Sequence, residues 1–313
     1  MDTLRVAVIG GSGFIGRHIV QHLAERGAVI TVLARAATHA GYLVPMGDVG
    51  QIALVNADID DTEVIDAAFQ GVHAVVNATG ILFERGRQTF ARIHAEGPDR
   101  LARLAAKAGI RHFVHLSAIG ADQASDSAYA RSKAMGEKAV RDACPQAVIL
   151  RPSLVFGPED QFFNRFARLA SLLPALPLIG GGATRFQPVY VADIAKAVMA
   201  ALERADATGK IFELGGPGIY SFKALMEILL HEIRRKRLLI PLPWSLAMLQ
   251  ASLLEWLPGT PPLTRDQVKL LRHDNVVAPG MPGFPELGLP QTSLELILPT
   301  YLDRFRRPGL PRR

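Results

Sequence analysis

The chain has 313 residues, of which 49% are apolar, enough to bury a sizeable core and too apolar for disorder; its length allows one elaborate domain or two lobes. A formal charge of +6 and a pI near 9.7 suit an acidic partner, whether nucleotide phosphates, an anionic membrane or nucleic acid, without choosing among them. Cys144 is the only cysteine, which excludes an internal disulfide and any cysteine-based metal site.

The first strand is reached by about Leu4, which leaves no room for a secretory signal and predicts a cytoplasmic start. Val6-Ala7-Val8-Ile9 then breaks into Gly10-Gly11-Ser12-Gly13-Phe14-Ile15-Gly16, a strand, a glycine turn and a helix start. The glycines serve different ends. Gly10 allows the tight turn, Gly13 lets the backbone approach a pyrophosphate, and Gly16 lets the helix pack on the strand. The exposed N–H groups and the helix dipole favour an anion there, so Ser12, Phe14, Ile15 and Arg17 join the candidate cofactor residues. The glycines fall three apart, a spacing that resembles the extended short-chain dehydrogenase/reductase superfamily, of the NAD-dependent epimerase/dehydratase kind.

A helix follows from Ile15 to Arg26, with Ile15, Ile19, Val20 and Leu23 on one face, and a second strand from Ala28 to Leu33. Past that strand, an NAD enzyme places an acidic residue on the ribose 2′-hydroxyl. This chain has Arg35, whose fixed charge suits a 2′-phosphate and favours NADP(H), the alternative being a solvated loop arginine. Asp58, with Ile59 after it, follows a third strand at Ile52 to Val55. The resemblance implies that Asp58 meets the adenine amino group, although it is equally an N-cap candidate for a helix near Thr62, as are Asp60 and Asp61. A fourth strand, Val72 to Asn77, leads into Ala78-Thr79-Gly80, which the resemblance places along the cofactor. A helix over Phe90 to Ala108 and a fifth strand over His112 to Leu116 come next.

Ser117 ends that strand, and Tyr129 and Lys133 follow four apart on one helix face. In the superfamily this set protonates a substrate carbonyl, with the ammonium lowering the tyrosine pKa, but the same Tyr and Lys also hold the nicotinamide ribose. Extended members usually show Asn where His94 stands in His94-Ala95-Glu96-Gly97-Pro98, and this departure favours ribose binding over turnover. No histidine has a carboxylate at metal-ligand spacing, so no metal is expected.

A sixth strand, Val148 to Leu150, and the segments Arg151 to Pro158 and Gln187 to Ala195 continue the resemblance to about residue 235, with Asp193 read as a helix cap. The expected fold is α/β, a doubly wound parallel sheet (Rossmann fold) in strand order 3-2-1-4-5-6 with a seventh strand and a small C-terminal lobe. Residues 1–155 are the dinucleotide-binding domain, 156–313 a mixed region of later sheet elements and the lobe, and 306–313 a disordered basic tail. Tyr129 to Asp142, Arg151 to Asp160 and above all Leu263 to Val277 look like the NADPH-binding accessory subunits of respiratory complex I. That family is regarded as holding its nucleotide without turnover. Its mitochondrial members carry an import segment that this chain lacks, so a bacterial form is expected.

Arg234-Arg235-Lys236-Arg237 precedes an uncharged run, Leu238 to Leu254, and on the helix after Pro243 the residues Leu246, Leu249, Leu253, Trp256 and Leu257 share a stripe opposite Ser245, Ser252 and Glu255. Pro241 and Pro243 argue against a membrane-spanning helix, and the choice lies between core packing and contact with a membrane surface or membrane-bound partner. Three functions compete: an NADP(H)-binding accessory subunit of complex I, peripheral on the cytoplasmic side of the bacterial inner membrane; an active NADP-dependent reductase, epimerase or dehydratase; and a nucleotide-sensing regulator. Nucleic-acid binding ranks below these, because no basic patch interleaved with aromatics appears.

Overall fold

The computed structural model describes residues 3–256 and 259–306. Two compact units emerge, the first made of 1–152, 191–214 and 278–290 and the second of 153–190, 215–277 and 291–313. The chain therefore leaves the first unit and returns to it twice.

In the first unit, apolar runs flanked by turn residues form β1 (Arg5–Ile9), β2 (Val29–Ala34), β3 (Ile52–Asn56), β4 (Ala74–Asn77), β5 (His112–Leu116) and β6 (Val148–Pro152). Together with Ile211–Leu214 they form a sheet of seven strands among the described residues, in the order β3-β2-β1-β4-β5-β6 followed by Ile211–Leu214. Every pairing in it is parallel. The expected order and the seventh strand are both present.

A parallel sheet needs cover on both faces. One face meets α1 (Phe14–Glu25), through Ile19, Val20 and Leu23, and the helix Val191–Glu203. On the other, Ala7, Ile9, Val75, Phe113 and Ile149 pack with Ile65 of α2 (Thr62–Ala68) and Phe69, with Leu101 and Leu104 of α3 (Gly97–Lys107), and with Val140 of α4 (Ala128–Ala143). The helix expected over Phe90 to Ala108 is not uniform: Ala91–Glu96 is wound as a π-helix before α3 begins. Asp193 lies inside the first turn of its helix, buried and paired with Lys196 at 3.0 Å, rather than at the capping position.

One ion-pair group sits inside this unit. Arg151 on β6 bonds Glu137 of α4 at 2.6 and 2.8 Å and Glu213 at 3.4 Å, with both carboxylates nearly inaccessible. Glu213 also accepts the Ala278 N–H at 2.8 Å, which fastens the returning segment to the sheet edge.

The second unit has its own core, built on Phe156, Phe163, Phe222, Leu225, Leu229 and Leu298. Strands Ala175–Ile179 and Leu238–Leu242 pair in parallel within it. Leu263 to Val277, the stretch on which the resemblance to complex I accessory subunits chiefly rests, is used internally. A capping box of Thr264 and Gln267 starts the helix Arg265–Leu270, Asp274 takes two hydrogen bonds from Arg185, and Asn275 receives Ser153 Oγ.

Trp244–Leu254 is helical, and the faces sort as follows. Ala247 and Ala251 are fully buried, Trp244 and Met248 pack on the core, and Trp244 fills the space beside Gly180. Leu246, Leu249, Leu253 and Trp256 face outward, Leu253 at 66% and Trp256 at 90% exposure. The alternative in which that stripe forms core is thus corrected: two alanines let the helix lie close, and the bulky residues are left on the outside. Leu257 and residues 307–313, most of the expected tail, fall outside the described residues.

Candidate nucleotide site

The site starts from the turn after β1. Gly10 has φ of +77°, and a Cβ there would stand 3.0 Å from the Ala78 carbonyl carbon and oxygen, so the position requires glycine both for its conformation and for close approach. At Gly16 a Cβ would come within 2.2 Å of the Gly10 oxygen, which is how the helix seats directly on the turn. Gly13 is the N-cap of α1 and uses no side chain to cap it, and the first turn holds no carboxylate. The opening of α1 thus presents unmasked backbone N–H groups and the positive end of the helix dipole, an anion seat.

Around this seat, Tyr42 donates its hydroxyl to the Ser12 carbonyl at 2.7 Å, and the Arg17 guanidinium lies 4.8 Å from the centre of the Tyr42 ring. Sequence reasoning misses Tyr42, since it sits in a 3₁₀ stretch, Ala37–Met46, with no amphipathic period to signal it. Arg35 is exposed just past β2. Asp58 is held by Arg92 at 2.9 Å and by the Ile59 N–H at 2.6 Å. Burial alone would push the Asp58 carboxyl up, but these bonds and the charges of Arg92 and Arg35 outweigh it and hold it below its ordinary value. Asp58 does not cap the next helix: Asp61 occupies the N-cap position, without a side-chain cap bond, and accepts the Asp58 N–H. Ile59 turns its side chain into the core against Gly97 and its N–H is taken by Asp58, which leaves a ligand only the carbonyl, already accepting from Arg100 at 3.0 Å.

At the end of β4, Asn77 fixes the next loop by accepting the Thr79 N–H and hydroxyl at 3.1 and 2.7 Å. Its amide lies 3.1 Å from His115 Nδ1. Lys133 reaches from α4 to donate to the Leu116 carbonyl at 3.2 Å, beside Ser117 and 3.5 Å from where a Cβ on Gly80 would stand. Burial, partly offset by Glu137, lowers the Lys133 pKa to about 8. Ser117 is buried, and its Oγ finds no hydrogen-bond partner among the described residues. An orphaned hydroxyl beside a glycine cradle and a buried ammonium fits a polar ligand entering over the strand ends.

His94 explains why this corner departs from the expected pattern. Its Nε2 accepts the Ile81 N–H at 3.0 Å, so the ring proton must lie on Nδ1, which faces Ser132 Oγ at 3.0 Å; Ser132 in turn donates to the Tyr129 carbonyl at 2.8 Å. The ring stacks on Phe90 and meets Tyr129 edge-on at 5.2 Å. Desolvation, with Lys133 and His115 adding to it, drives the His94 pKa down to about 2. The π-turn puts the His94 carbonyl against Gly136, where a Cβ would clash at 1.8 Å. His94 is therefore a neutral fixed brace between the loop after β4 and α4.

The family model described as the NAD dependent epimerase/dehydratase family matches residues 6–215, from the glycine turn through Lys133 to the seventh strand. The chain belongs to the NAD dependent epimerase/dehydratase family. Within this family it is 35% identical over 301 residues to the mouse mitochondrial NADH dehydrogenase [ubiquinone] 1 alpha subcomplex subunit 9, covering 96% of this chain and 80% of that protein. The Arabidopsis thaliana protein of the same name is 33% identical over 96% of this chain and 78% of its own length. A ceramide reductase of Caulobacter vibrioides is 31% identical over 76% of this chain and 73% of its own length. Among solved structures, the dTDP-glucose 4,6-dehydratase DesIV of Streptomyces venezuelae, with NAD bound, superposes with a TM-score of 0.73 at 22% identity, covering 96% of each chain, a likeness of fold.

Proposed function

We propose that this protein is an NADP(H)-binding accessory subunit of respiratory NADH:ubiquinone oxidoreductase, complex I, with a structural or assembly role and no turnover of its own. The observation that carries the reading is similarity to mitochondrial subunits of that name across 96% of the chain, which takes in the second unit as well as the family region. Gly10, Ser12, Gly13, Phe14, Ile15, Gly16 and Arg17 would hold the pyrophosphate, Asp58 and the Ile59 backbone the adenine, and Arg35 the 2′-phosphate. Ala78, Thr79, Gly80, Ser117, Tyr129 and Lys133 would line the nicotinamide ribose. When bound, the cofactor supplies hydride chemistry. The His94 brace supports a holding rather than a reacting role for Tyr129 and Lys133, since its ring is buried, neutral and already bonded at both nitrogens.

The outward stripe on Trp244–Leu254, continued by Trp256, supports peripheral docking at the membrane surface, in this reading the cytoplasmic face of a bacterial inner membrane. Among the described residues no helix is long and apolar enough to cross a bilayer. The test is purification from native membranes in mild detergent, with identification of the accompanying chains and the nucleotide. Respiratory subunits together with NADP(H) are expected, and a protein that emerges alone sinks the reading.

A second reading, an NADP-dependent reductase, is favoured by the ceramide reductase relative and the presence of Ser117, Tyr129 and Lys133. A reductase turnover that Tyr129→Phe abolishes while nucleotide stays bound would establish it.

A further inference from the structure

The four basic residues before Leu238 do not form a simple solvated helix end. The chain leaves the helix Phe222–Glu232 through Arg234, whose φ of +50° is unfavourable for a residue with a side chain. This turn lays Arg234, Arg235, Lys236 and Arg237 along the wall of an open cavity of about 960 Å³, which Arg306, Asp303, Glu232 and Glu227 also line. Its size falls in the range of ligand sites.

The charges on that wall are not balanced. Arg306 is answered in place by Asp303 at 2.5 Å and Glu232 at 3.8 Å, and Glu227 lies 3.7 Å from Lys223. Arg237 is oriented instead by carbonyl oxygens, those of Ala170 at 2.7 Å and Lys236 at 3.0 Å, and among the described residues it has no carboxylate partner. Lys236 has none either. A braced guanidinium beside an ammonium in a concave wall is a phosphate-recognising pair.

What lies next along the chain decides which phosphate. Arg237 runs directly into the strand Leu238–Leu242, where Leu238 and Ile240 are exposed, and the Leu238 N–H bonds the Pro174 carbonyl, next to the exposed Leu172 and Leu173. The cavity's own lining mixes these charges with Leu230, Leu239 and Pro299, and the exposed Leu238 and Ile240 follow Arg237 along the strand, which matches an amphiphile with an anionic head and apolar tails. We propose that this cavity binds the phosphate headgroup of one anionic phospholipid, with its acyl chains over Leu172, Leu173, Leu238 and Ile240. The proposal rests on the membrane docking above and specifies the lipid that the docked unit grips.

Flotation of the full-length protein with vesicles tests it, comparing phosphatidylcholine alone with phosphatidylcholine carrying about one part in five phosphatidylglycerol. The wild type should bind the phosphatidylglycerol vesicles at least about tenfold more tightly. Lys236→Gln with Arg237→Gln should bring that down to the phosphatidylcholine level. Lys236→Gln alone, which removes no bond within the fold, should give a several-fold loss. Arg111→Gln with Lys210→Gln removes the same formal charge from the first unit and should leave the preference intact; an equal loss there would mean diffuse attraction and overturn the site. Equal wild-type binding to both vesicle types overturns the headgroup site but leaves docking through the leucine stripe standing, whereas failure to float with either overturns both. Binding of sn-glycerol 3-phosphate in solution as tight as that of the vesicles would assign the cavity to a soluble phosphoester and overturn the lipid assignment.

Discussion

The two units differ in which of their difficult groups gather together. The first unit turns ionisable groups inward: Lys133, Glu137, Glu213 and the neutral His94 and His115 are all buried and, Lys133 and the histidines apart, held in an ion-pair group around Arg151. The second turns apolar surface outward, leaving Leu172, Leu238, Leu246, Leu249, Leu253 and Trp256 in solvent. Buried polar groups are tolerated when each has a partner, and they then fix one geometry. Exposed leucines gathered on neighbouring segments have no such internal justification and point to something that covers them. In the proposed reading, the contrast separates a unit that holds a small polar ligand from one that meets another phase or partner.

The comparison can be broken most severely at Arg151. Arg151→Met leaves Glu137 and Glu213 facing each other in a nearly inaccessible site, and unfolding free energy should fall by about 3–5 kcal/mol in chemical denaturation. A loss below about 1 kcal/mol would show that the group is better hydrated than its geometry indicates.

Next comes acid. His94 and His115 are buried, with pKa values lowered to about 2 and about 3, the first by desolvation, Lys133 and His115, the second by desolvation and Lys133. The unfolded chain takes up these protons below about 6.5 while the folded chain does not, so their contribution is complete above that pH and is lost as pH falls towards the folded values. The slope reaches at most about 1.4 kcal/mol per pH unit for each histidine. His94→Asn should flatten the stability profile between about pH 6 and 4, and an unchanged slope would remove His94 from the account.

A smaller effect sharpens the ligand side. Arg35→Asp should weaken NADP(H) by at least about tenfold, 1.4 kcal/mol, in a titration that leaves NAD(H) binding much less affected. Equal affinity of the wild type for both nucleotides would dismiss the Arg35 assignment.

The smallest expected change in stability lies in the second unit. Leu249→Glu with Leu253→Glu should change the unfolding free energy by no more than about 0.5 kcal/mol, since both side chains already stand in water, while association with membranes disappears. A strongly destabilised double variant would mean that these leucines pack on the fold after all.

Much of the first unit was legible because its signals are local. A strand, three glycines at fixed spacing and a helix start determine one another within eleven residues, and apolar runs alternating with helical periods imply parallel pairing with right-handed crossovers, the strand order itself coming with the family resemblance. The Tyr129 and Lys133 pair was legible for the same reason, four residues on one helix face. What stayed hidden depends on contacts between distant segments. Tyr42 reaches Ser12 across thirty residues from an aperiodic stretch, Arg92 meets Asp58 across thirty-four, and His94 acquires its role only where a π-turn sets it between Ile81 and Ser132. The Trp244–Leu254 helix stayed undecided for a different reason. A leucine stripe reads as core by period, but helical periodicity does not say which face a neighbour will choose, and here the alanines won that contact.

The return of residues 278–290 to the first unit also bears on how the protein is made. That segment supplies the Pro282 carbonyl to the Glu213 N–H and the Ala278 N–H to the Glu213 carboxylate, both at the outer strand of the sheet. On the ribosome, the glycine turn and six strands emerge early, but the sheet edge stays unfinished until Pro290 has left the exit tunnel, after nearly all of the second unit. Domains that emerge first usually close first. Here the first unit must wait for its last piece, and a chain cut short at Val277 would carry an outer strand without its Pro282 and Ala278 partners.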